Sequence, residues 1–369
     1  MKMMNKQKRI IISGGGTGGH IYPAISIANG IHEKLPDAEI LFVGALGRME
    51  MEKVPKAGYD IVGLPVIGLR RKLSLHTIKF VFRLFQSLIK ARKIVNQFKP
   101  DLAIGVGGYA SGPLLRVASK KGIPTLIQEQ NSFPGITNKL LAKTVDKICV
   151  AYDNLERWFP KKKIVFTGNP VRQDILSILD KKQEALKYFE FQPDKPILLV
   201  VGGSLGAKTI NNSMAKDWEL LKNAGIQVLW QTGKTGYQKA RESVPESEKS
   251  IQVREFIYKM DFAYAIADVV ISRAGASTIS ELCLVRKPTV FVPSPNVAED
   301  HQTKNAMALK NIDAALLIPD NEARENLIPA TLDLINDEKI KNGFSENMVK
   351  LARPNAVDDI VSCCFDLMK

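Results

Sequence analysis

The chain has 369 residues, 45% hydrophobic and 24% charged, a globular balance that excludes a disordered or fibrous protein, and its length predicts two domains rather than one core. Its formal net charge of +14 points to an anionic partner, whether nucleic acid, phosphorylated substrate or acidic lipid surface. No apolar run reaches the roughly eighteen residues of a membrane-spanning helix, and Cys149, Cys283, Cys363 and Cys364 show no C-x-x-C pair and no histidine at ligand spacing, so a reducing compartment and no metal site are expected.

The basic stretch 1–9 is followed only by Ile10, Ile11 and Ile12, too few for the apolar part of a secretory leader. That triplet reads as a buried strand over 10–13. It runs into Ser13-Gly14-Gly15-Gly16-Thr17-Gly18-Gly19-His20, with a helical pattern opening at Tyr22-Pro23. Glycines here let backbone N–H groups approach an anion and the helix start adds its dipole, which suits a phosphate; a plain strand-to-helix connection is the alternative. Further strands are predicted over 40–43, 102–104, 125–128, 147–150 and 164–167, with helical stretches between them. Short Val/Ile/Leu strands in such alternation predict a parallel sheet covered on both faces.

One helical stretch, 76–98, carries two apolar stripes. Ile78, Phe82, Phe85 and Ile89 recur among Lys79, Arg83, Lys90, Arg92 and Lys93, just after Arg70-Arg71-Lys72, while Leu84, Leu88, Ala91 and Val95 make the second stripe. The second suits a core, and the first, rimmed by cations, suits an anionic membrane surface.

Turn residues at Gly168-Asn169-Pro170 close this series, and a second opens, with strands predicted over 196–201, 227–231, 251–254, 269–272, 289–292 and 315–318. Its first strand also meets glycines, Gly202-Gly203-Ser204-Leu205-Gly206. Two tandem Rossmann-like domains are predicted, 1–168 and 169–356, with 357–369 a final helix that could pack back on the first. Ligands of open parallel sheets bind beyond the carboxyl ends of the strands, so two such domains facing each other would frame a cleft.

Gly14, Gly16 and Gly19 satisfy the dinucleotide-binding pattern, but Gly44-Ala45 follows the second strand where an acidic residue would hold the ribose. A phosphate-binding P-loop is missed twice: Ala207 replaces a glycine in 202–209, and Val228 stands where Gly233-Lys234-Thr235 needs one. More informative is Ser272-Arg273-Ala274-Gly275-Ala276-Ser277-Thr278-Ile279-Ser280-Glu281 after a strand. Gly275 suits a turn, Ser277 or Thr278 a helix cap, and Glu281, expected in the first turn, can accept two hydrogen bonds from vicinal hydroxyls such as those of a ribose. A simple capping box is the plainer reading.

Taken together, Gly14 to His20, Gly107-Gly108-Tyr109-Ala110-Ser111-Gly112-Pro113, Glu129-Gln130-Asn131, Gly168-Asn169-Pro170-Val171-Arg172, Gly202-Gly203-Ser204 and Arg273 to Glu281 make the chain resemble the MurG family, the N-acetylglucosaminyltransferases of peptidoglycan assembly, over nearly its whole length. The resemblance implies a GT-B fold of two Rossmann-like domains around a cleft. It implies inverting transfer of N-acetylglucosamine from UDP-N-acetylglucosamine to undecaprenyl-pyrophosphoryl-N-acetylmuramoyl-pentapeptide, lipid I, giving lipid II and UDP at the cytoplasmic face of the cell membrane. No cofactor is implied, and the chain has no D-x-D metal signature.

Carried onto this sequence, donor contacts would be Thr17, Gly18, Gly19, Asn131, Arg172, Ser204, Ile257, Ala276, Ser277, Thr278, Ile279, Ser280, Glu281 and Gln302. In this assignment Ser204 and the helix start near Ala276 hold the diphosphate with Arg172 adding charge, Ile257 meets uracil, and Gln302 meets sugar hydroxyls. The acceptor pyrophosphate would meet Gly107, Gly108, Tyr109 and Ser111. His20 is the candidate base, with Glu129 in reserve. Gln128 and Leu205 depart from the family, which often has histidine and glutamine there. Two other readings are a GT-B enzyme for another lipid acceptor and a basic nucleic-acid-binding module; the second lacks interleaved aromatic and basic residues, so no nucleic acid is expected.

Overall fold

A computed structural model of the chain describes residues 7–68, 75–203, 205–297 and 300–369. The chain forms two compact units: one runs up to Val171 and takes in Asn355–Lys369, and the other is Arg172–Pro354.

The first unit holds strands β1 (Arg9–Ser13), β2 (Glu39–Ala45), β3 (Asp60–Leu64), β4 (Leu102–Gly105), β5 (Thr125–Glu129), β6 (Lys147–Val150) and β7 (Ile164–Phe166). Between them lie helices α1 (Gly18–Lys34), α2 (Glu50–Lys56), α3 (Leu75–Phe98), α4 (Ser111–Lys120) and α5 (Ile136–Leu141). The strands form one sheet, all parallel, in the order β3-β2-β1-β4-β5-β6-β7. Ile10, Ile11 and Ile12 have no exposed surface: alternate side chains enter cores on opposite faces, which is why a central parallel strand reads as a continuous apolar run. The helix after the glycines starts already at Gly18, so Pro23 lies inside it rather than at its start.

In the second unit the strands are β8 (Ile197–Val201), β9 (Gln227–Gln231), β10 (Ile251–Arg254), β11 (Val269–Ser272), β12 (Thr289–Phe291) and β13 (Leu316–Leu317). The helices are α6 (Lys182–Phe189), α7 (Lys208–Asn223), α8 (Tyr237–Ser243), α9 (Met260–Ile266), α10 (Ala276–Val285), α11 (His301–Lys310), α12 (Ala323–Asn336) and α13 (Glu338–Val349). The parallel sheet order is β10-β9-β8-β11-β12-β13. The last helix, α14 (Ala356–Leu367), packs on α1 of the first unit, where Val357, Ile360 and Val361 join the core beside Ile27 and Ile31.

Each sheet reverses its order once, between β1 and β4 in the first and between β8 and β11 in the second. Beyond the carboxyl ends at such a switch point the connections diverge to opposite faces, which makes it the favoured ligand crevice of a doubly wound sheet.

Candidate functional site

At the first switch point the glycine turn is filled from within. Glu50, at the start of α2 and fully buried, accepts hydrogen bonds from the N–H groups of Gly16 and Ala45, both at 2.9 Å. A side chain at Gly15 would collide with that carboxylate. From the other side comes the turn after β4, where Gly107 (φ +92°) and Gly108 (φ +84°) take left-handed conformations that glycine adopts without penalty. A side chain at Gly108 would strike the Gly15 carbonyl, and a Cβ at Gly107 would lie 2.6 Å from His20 Cδ2. The two turns are therefore in direct contact. The sequence does not reveal Glu50, because its partners are 34 and 5 residues away and no motif marks it.

His20 sits in the first turn of α1 with Nδ1 3.1 Å from the Gly15 carbonyl and 3.4 Å from Thr17 Oγ1. A carbonyl only accepts, so Nδ1 carries a proton, and in the neutral ring the lone pair is on Nε2. Thr17 is the exposed residue capping α1, without a side-chain cap bond, and Gly18 and Gly19 form the helix start. Tyr109 is half exposed. Ser111 is fully buried and donates to the Gly108 carbonyl at 2.9 Å, so its hydroxyl braces the turn instead of facing an acceptor.

Glu129 is also committed to the frame. One oxygen takes the N–H and carboxamide of Asn131, the other the Gly135 N–H and the Asn138 carboxamide. Burial pushes its pKa up, against the four donors that pull it down. Acting as a reserve base would require breaking these bonds. Asn131, predicted to meet donor, is turned onto the same carboxylate. Behind them Gln128 donates to Asn169, Asn169 to the Gln130 carbonyl, and Gln130 to the Val106 carbonyl and to Gln128. Gln128, at the first departure from the family pattern, thus anchors the Gly168-Asn169-Pro170 turn.

The second switch point is built differently. Gly203 (φ +80°) has no atom within 4 Å of where a side chain would begin, and around Gly275 the nearest is Thr278 Oγ1 at 3.7 Å. Bracing comes from the β9 side: Gly233 packs on Gly206 with no room for a side chain, and Thr235 donates to the Leu205 carbonyl at 2.7 Å. The Gly233-Lys234-Thr235 sequence is thus a buttress. Leu205, the second departure, points outward, and Ser204 lies outside the described residues.

Helix α10 is capped by Gly275 in extended conformation, with no side-chain cap bond. Ser277 and Thr278 are therefore first-turn residues and not caps, and Glu281 falls in the second turn. The Ser277 hydroxyl is buried with no partner among the described residues. Ser280 turns back to the Ala276 carbonyl at 3.0 Å, and Ile279 enters the core beside the nearly buried Ala276, so none of these three side chains is offered outward. Glu281 accepts at Oε2 from the Tyr264 hydroxyl at 2.9 Å. Burial lifts its pKa to about 7, opposed by the Tyr264 bond and the Arg172 charge and assisted by Asp174.

Arg172 is held in a two-point ion pair with Asp174, at 2.7 and 2.6 Å, so its charge is largely answered within the protein. Ile257 is buried and its N–H donates to Gln231 at 2.9 Å, which leaves its carbonyl, not its N–H, for a base. Gln302, in the first turn of α11, accepts the Ser294 N–H with its carboxamide oxygen and keeps its NH₂ as a donor. Arg273 serves the frame, donating to the Val292 and Pro293 carbonyls and pairing with Asp320.

On α3, the C-terminal half packs inward through Ala91, Ile94, Val95 and Phe98. Its N-terminal half does not: Val81, Phe82, Phe85 and Ile89 are each 58–63% exposed. Leu84, expected in the core stripe, is exposed as well and Leu88 half-buried, because the core stripe begins only at Ser87. Lys79 is exposed, Arg83 half-buried with a bond to Gln86, and the Ile78 side chain lies outside the described residues.

The model of the glycosyltransferase family 28 N-terminal domain matches residues 10–150, and that of its C-terminal domain matches 197–360. A UDP-N-acetylglucosamine–N-acetylmuramyl-(pentapeptide) pyrophosphoryl-undecaprenol N-acetylglucosamine transferase from Parabacteroides distasonis is 56% identical, covering 96% of this chain and 97% of its own length. One of the same name from Cytophaga hutchinsonii is 54% identical over 98% of each. The crystal structure of Acinetobacter baumannii MurG superposes with a TM-score of 0.75 at 30% identity, covering 97% of this chain and 99% of that one. A UDP-GlcNAc 2-epimerase from Neisseria meningitidis, TM-score 0.66 and 15% identical over 98% of this chain and 100% of that one, is alike in fold alone. The chain belongs to glycosyltransferase family 28, on the branch that carries the MurG transferases, and it has that family's GT-B fold of two Rossmann-like domains.

Proposed function

We propose that the chain transfers N-acetylglucosamine from UDP-N-acetylglucosamine to the muramoyl sugar of lipid I, with inversion, giving lipid II and UDP. The observation that carries this reading is the near full-length match to relatives named for that transfer. The geometry supports it. In the second unit the N–H groups at the start of α10 and the unpartnered Ser277 hydroxyl suit the diphosphate, and Glu281, with one oxygen to spare, suits the ribose hydroxyls.

In the first unit His20 takes the proton of the attacking acceptor hydroxyl at Nε2, while its Nδ1–H stays on the Gly15 carbonyl and fixes the ring. Attack on the anomeric carbon breaks its bond to the departing UDP on the opposite face. The growing diphosphate charge meets fixed N–H dipoles that need no reorganisation. Incubation with labelled UDP-N-acetylglucosamine and lipid I should move label into the lipid fraction; label refused by lipid I but accepted by another prenyl or glyceride acceptor overturns the assignment.

A polyprenyl acceptor stays in its bilayer, so the enzyme works as a peripheral protein on the cytoplasmic face. No helix among the described residues is long and apolar enough to cross a membrane. The exposed Val81, Phe82, Phe85 and Ile89 near Lys79 and Arg83 suit insertion at an anionic surface. Reversing Lys79 and Arg83 to glutamate should weaken binding to anionic vesicles by about 1 kcal/mol or more per charge. Unchanged sedimentation with such vesicles overturns the membrane assignment.

A further inference from the structure

We infer that Tyr264 is a positioning residue for the donor: its phenol hydroxyl takes Glu281 Oε2 and so holds Oε1 toward the vicinal hydroxyls of a ribose. The inference rests on the reading of Glu281 as the ribose-binding carboxylate.

Tyr264 lies on α9, a short helix whose residues from Phe262 to Ile266 are all buried, and its own side chain is only 2% exposed. A large ring enclosed in this way has no alternative rotamer, so the hydroxyl is delivered to a fixed point. That point is Glu281 Oε2, 2.9 Å away across the gap to α10. Among the described residues this phenol is the only hydrogen-bond donor to Glu281. Arg172, the cation whose charge reaches Glu281, is turned onto Asp174 through the Nε–Nη2 edge of its guanidinium and acts on Glu281 only through space. The short turn Gln173–Ile175 packed on α10 adds Asp174, whose charge works against ionisation, and the other helices packed there, α11 and α13, contribute no charged group among the described residues that acts on the carboxylate.

The arrangement divides the work between two oxygens. A carboxylate with both oxygens bonded to protein would be a strut, and one with neither would turn about its last torsion and lose orientation. Bonded at one oxygen only, Glu281 is aimed and still able to accept. The phenol also favours the ionised form over the protonated one, which burial encourages. An ionised carboxylate accepts from two ribose hydroxyls, whereas a protonated one must spend a lone-pair position on its own proton.

The experiment is calorimetric titration of the full chain with UDP, and with the 2′,3′-dideoxy form of UDP, from pH 6 to 9. Tyr264→Phe removes one oxygen and keeps the ring, and a thermal melt reports that it folds. We expect the variant to bind UDP about tenfold more weakly at pH 7 and the dideoxy nucleotide as the native chain does. Its loss of UDP affinity toward acid should begin at higher pH than in the native chain, and the apparent KM for the donor should rise with kcat at saturating donor unchanged. Equal weakening of UDP and dideoxy-UDP makes Tyr264 merely structural and overturns the inference. If Glu281→Gln weakens UDP while Tyr264→Phe binds it normally, the positioning role falls and the ribose reading stands. If Glu281→Gln itself binds UDP normally, the ribose reading falls and the inference falls with it.

Discussion

Both units lead a buried strand through glycines into a helix at the switch point of a parallel sheet, yet the two turns are spent differently. After β1, the turn is occupied on one side by the Glu50 carboxylate and pressed on the other by Gly107 and Gly108, leaving a rigid mount with His20 fixed on it. After β8, the brace comes from Gly233 on the β9 side, and a side chain at Gly203 would meet open space. The same local sequence can thus make a support or a seat, depending on which neighbouring strand supplies the buttress. The carboxylates repeat the lesson. Glu50 and Glu129 have both oxygens bonded to the frame, whereas Glu281 has one bonded and one available.

The comparison breaks most visibly at His20. If the first turn is a mount for a base and not a nucleotide seat, His20→Ala should lower kcat by roughly a hundredfold or more while UDP affinity by calorimetry stays within about twofold, well under the tenfold that 1.4 kcal/mol represents. Near-normal turnover with both substrates saturating would remove His20 from the chemistry. Next in size is Glu50→Gln. The amide keeps one acceptor oxygen and turns an NH₂ toward the second N–H, so a buried donor loses its partner. The melting transition should report a loss of about 1–3 kcal/mol, with UDP affinity unchanged because the second unit is untouched. A variant as stable as the native chain would mean that the Glu50 bonds contribute little to the turn.

How much of this was legible in the sequence follows from what each feature depends on. The central strands were readable because a parallel strand buried on both faces must be apolar throughout, as Ile10 to Ile12 and Leu198 to Val200 are. Strand β3 was not: it is an edge, and Asp60 and Gly63 dilute its apolar run. The glycine turns were readable because close approach of backbones admits no other residue there. What escaped was the partner of each polar side chain in those turns. Ser111, Glu129, Asn131 and Ser280 look like ligand groups in a motif, and the fold gives each a partner within the protein, as it gives the part-exposed Arg172 its Asp174. Tyr264 is hidden in the sequence for the converse reason. In an apolar helix it reads as core, and only the fold brings its hydroxyl to Glu281.

The smallest effect gives the sharpest contrast, since one substitution should carry opposite signs in the two units. Glu281 has its pKa lifted by burial from an ordinary 4.5 to about 7 in the folded chain. Between these values the folded protein binds a proton that the unfolded chain does not, so the stability that Glu281 allows below its unfolded pKa is lost as pH rises through about 7. Glutamine at this position is neutral at every pH. Glu281→Gln should therefore match the native chain in acid and exceed it at pH 8 by about 1–2 kcal/mol, the pKa difference being discounted for the partial exposure of the side chain, even as UDP binding weakens, whereas Glu50→Gln destabilises. Melting curves of both variants at pH 5 and pH 8 decide the matter. A Glu281→Gln chain that is less stable than the native one at pH 8 would mean that its carboxylate, too, is a strut, and the distinction drawn between the two turns would lose its electrostatic half.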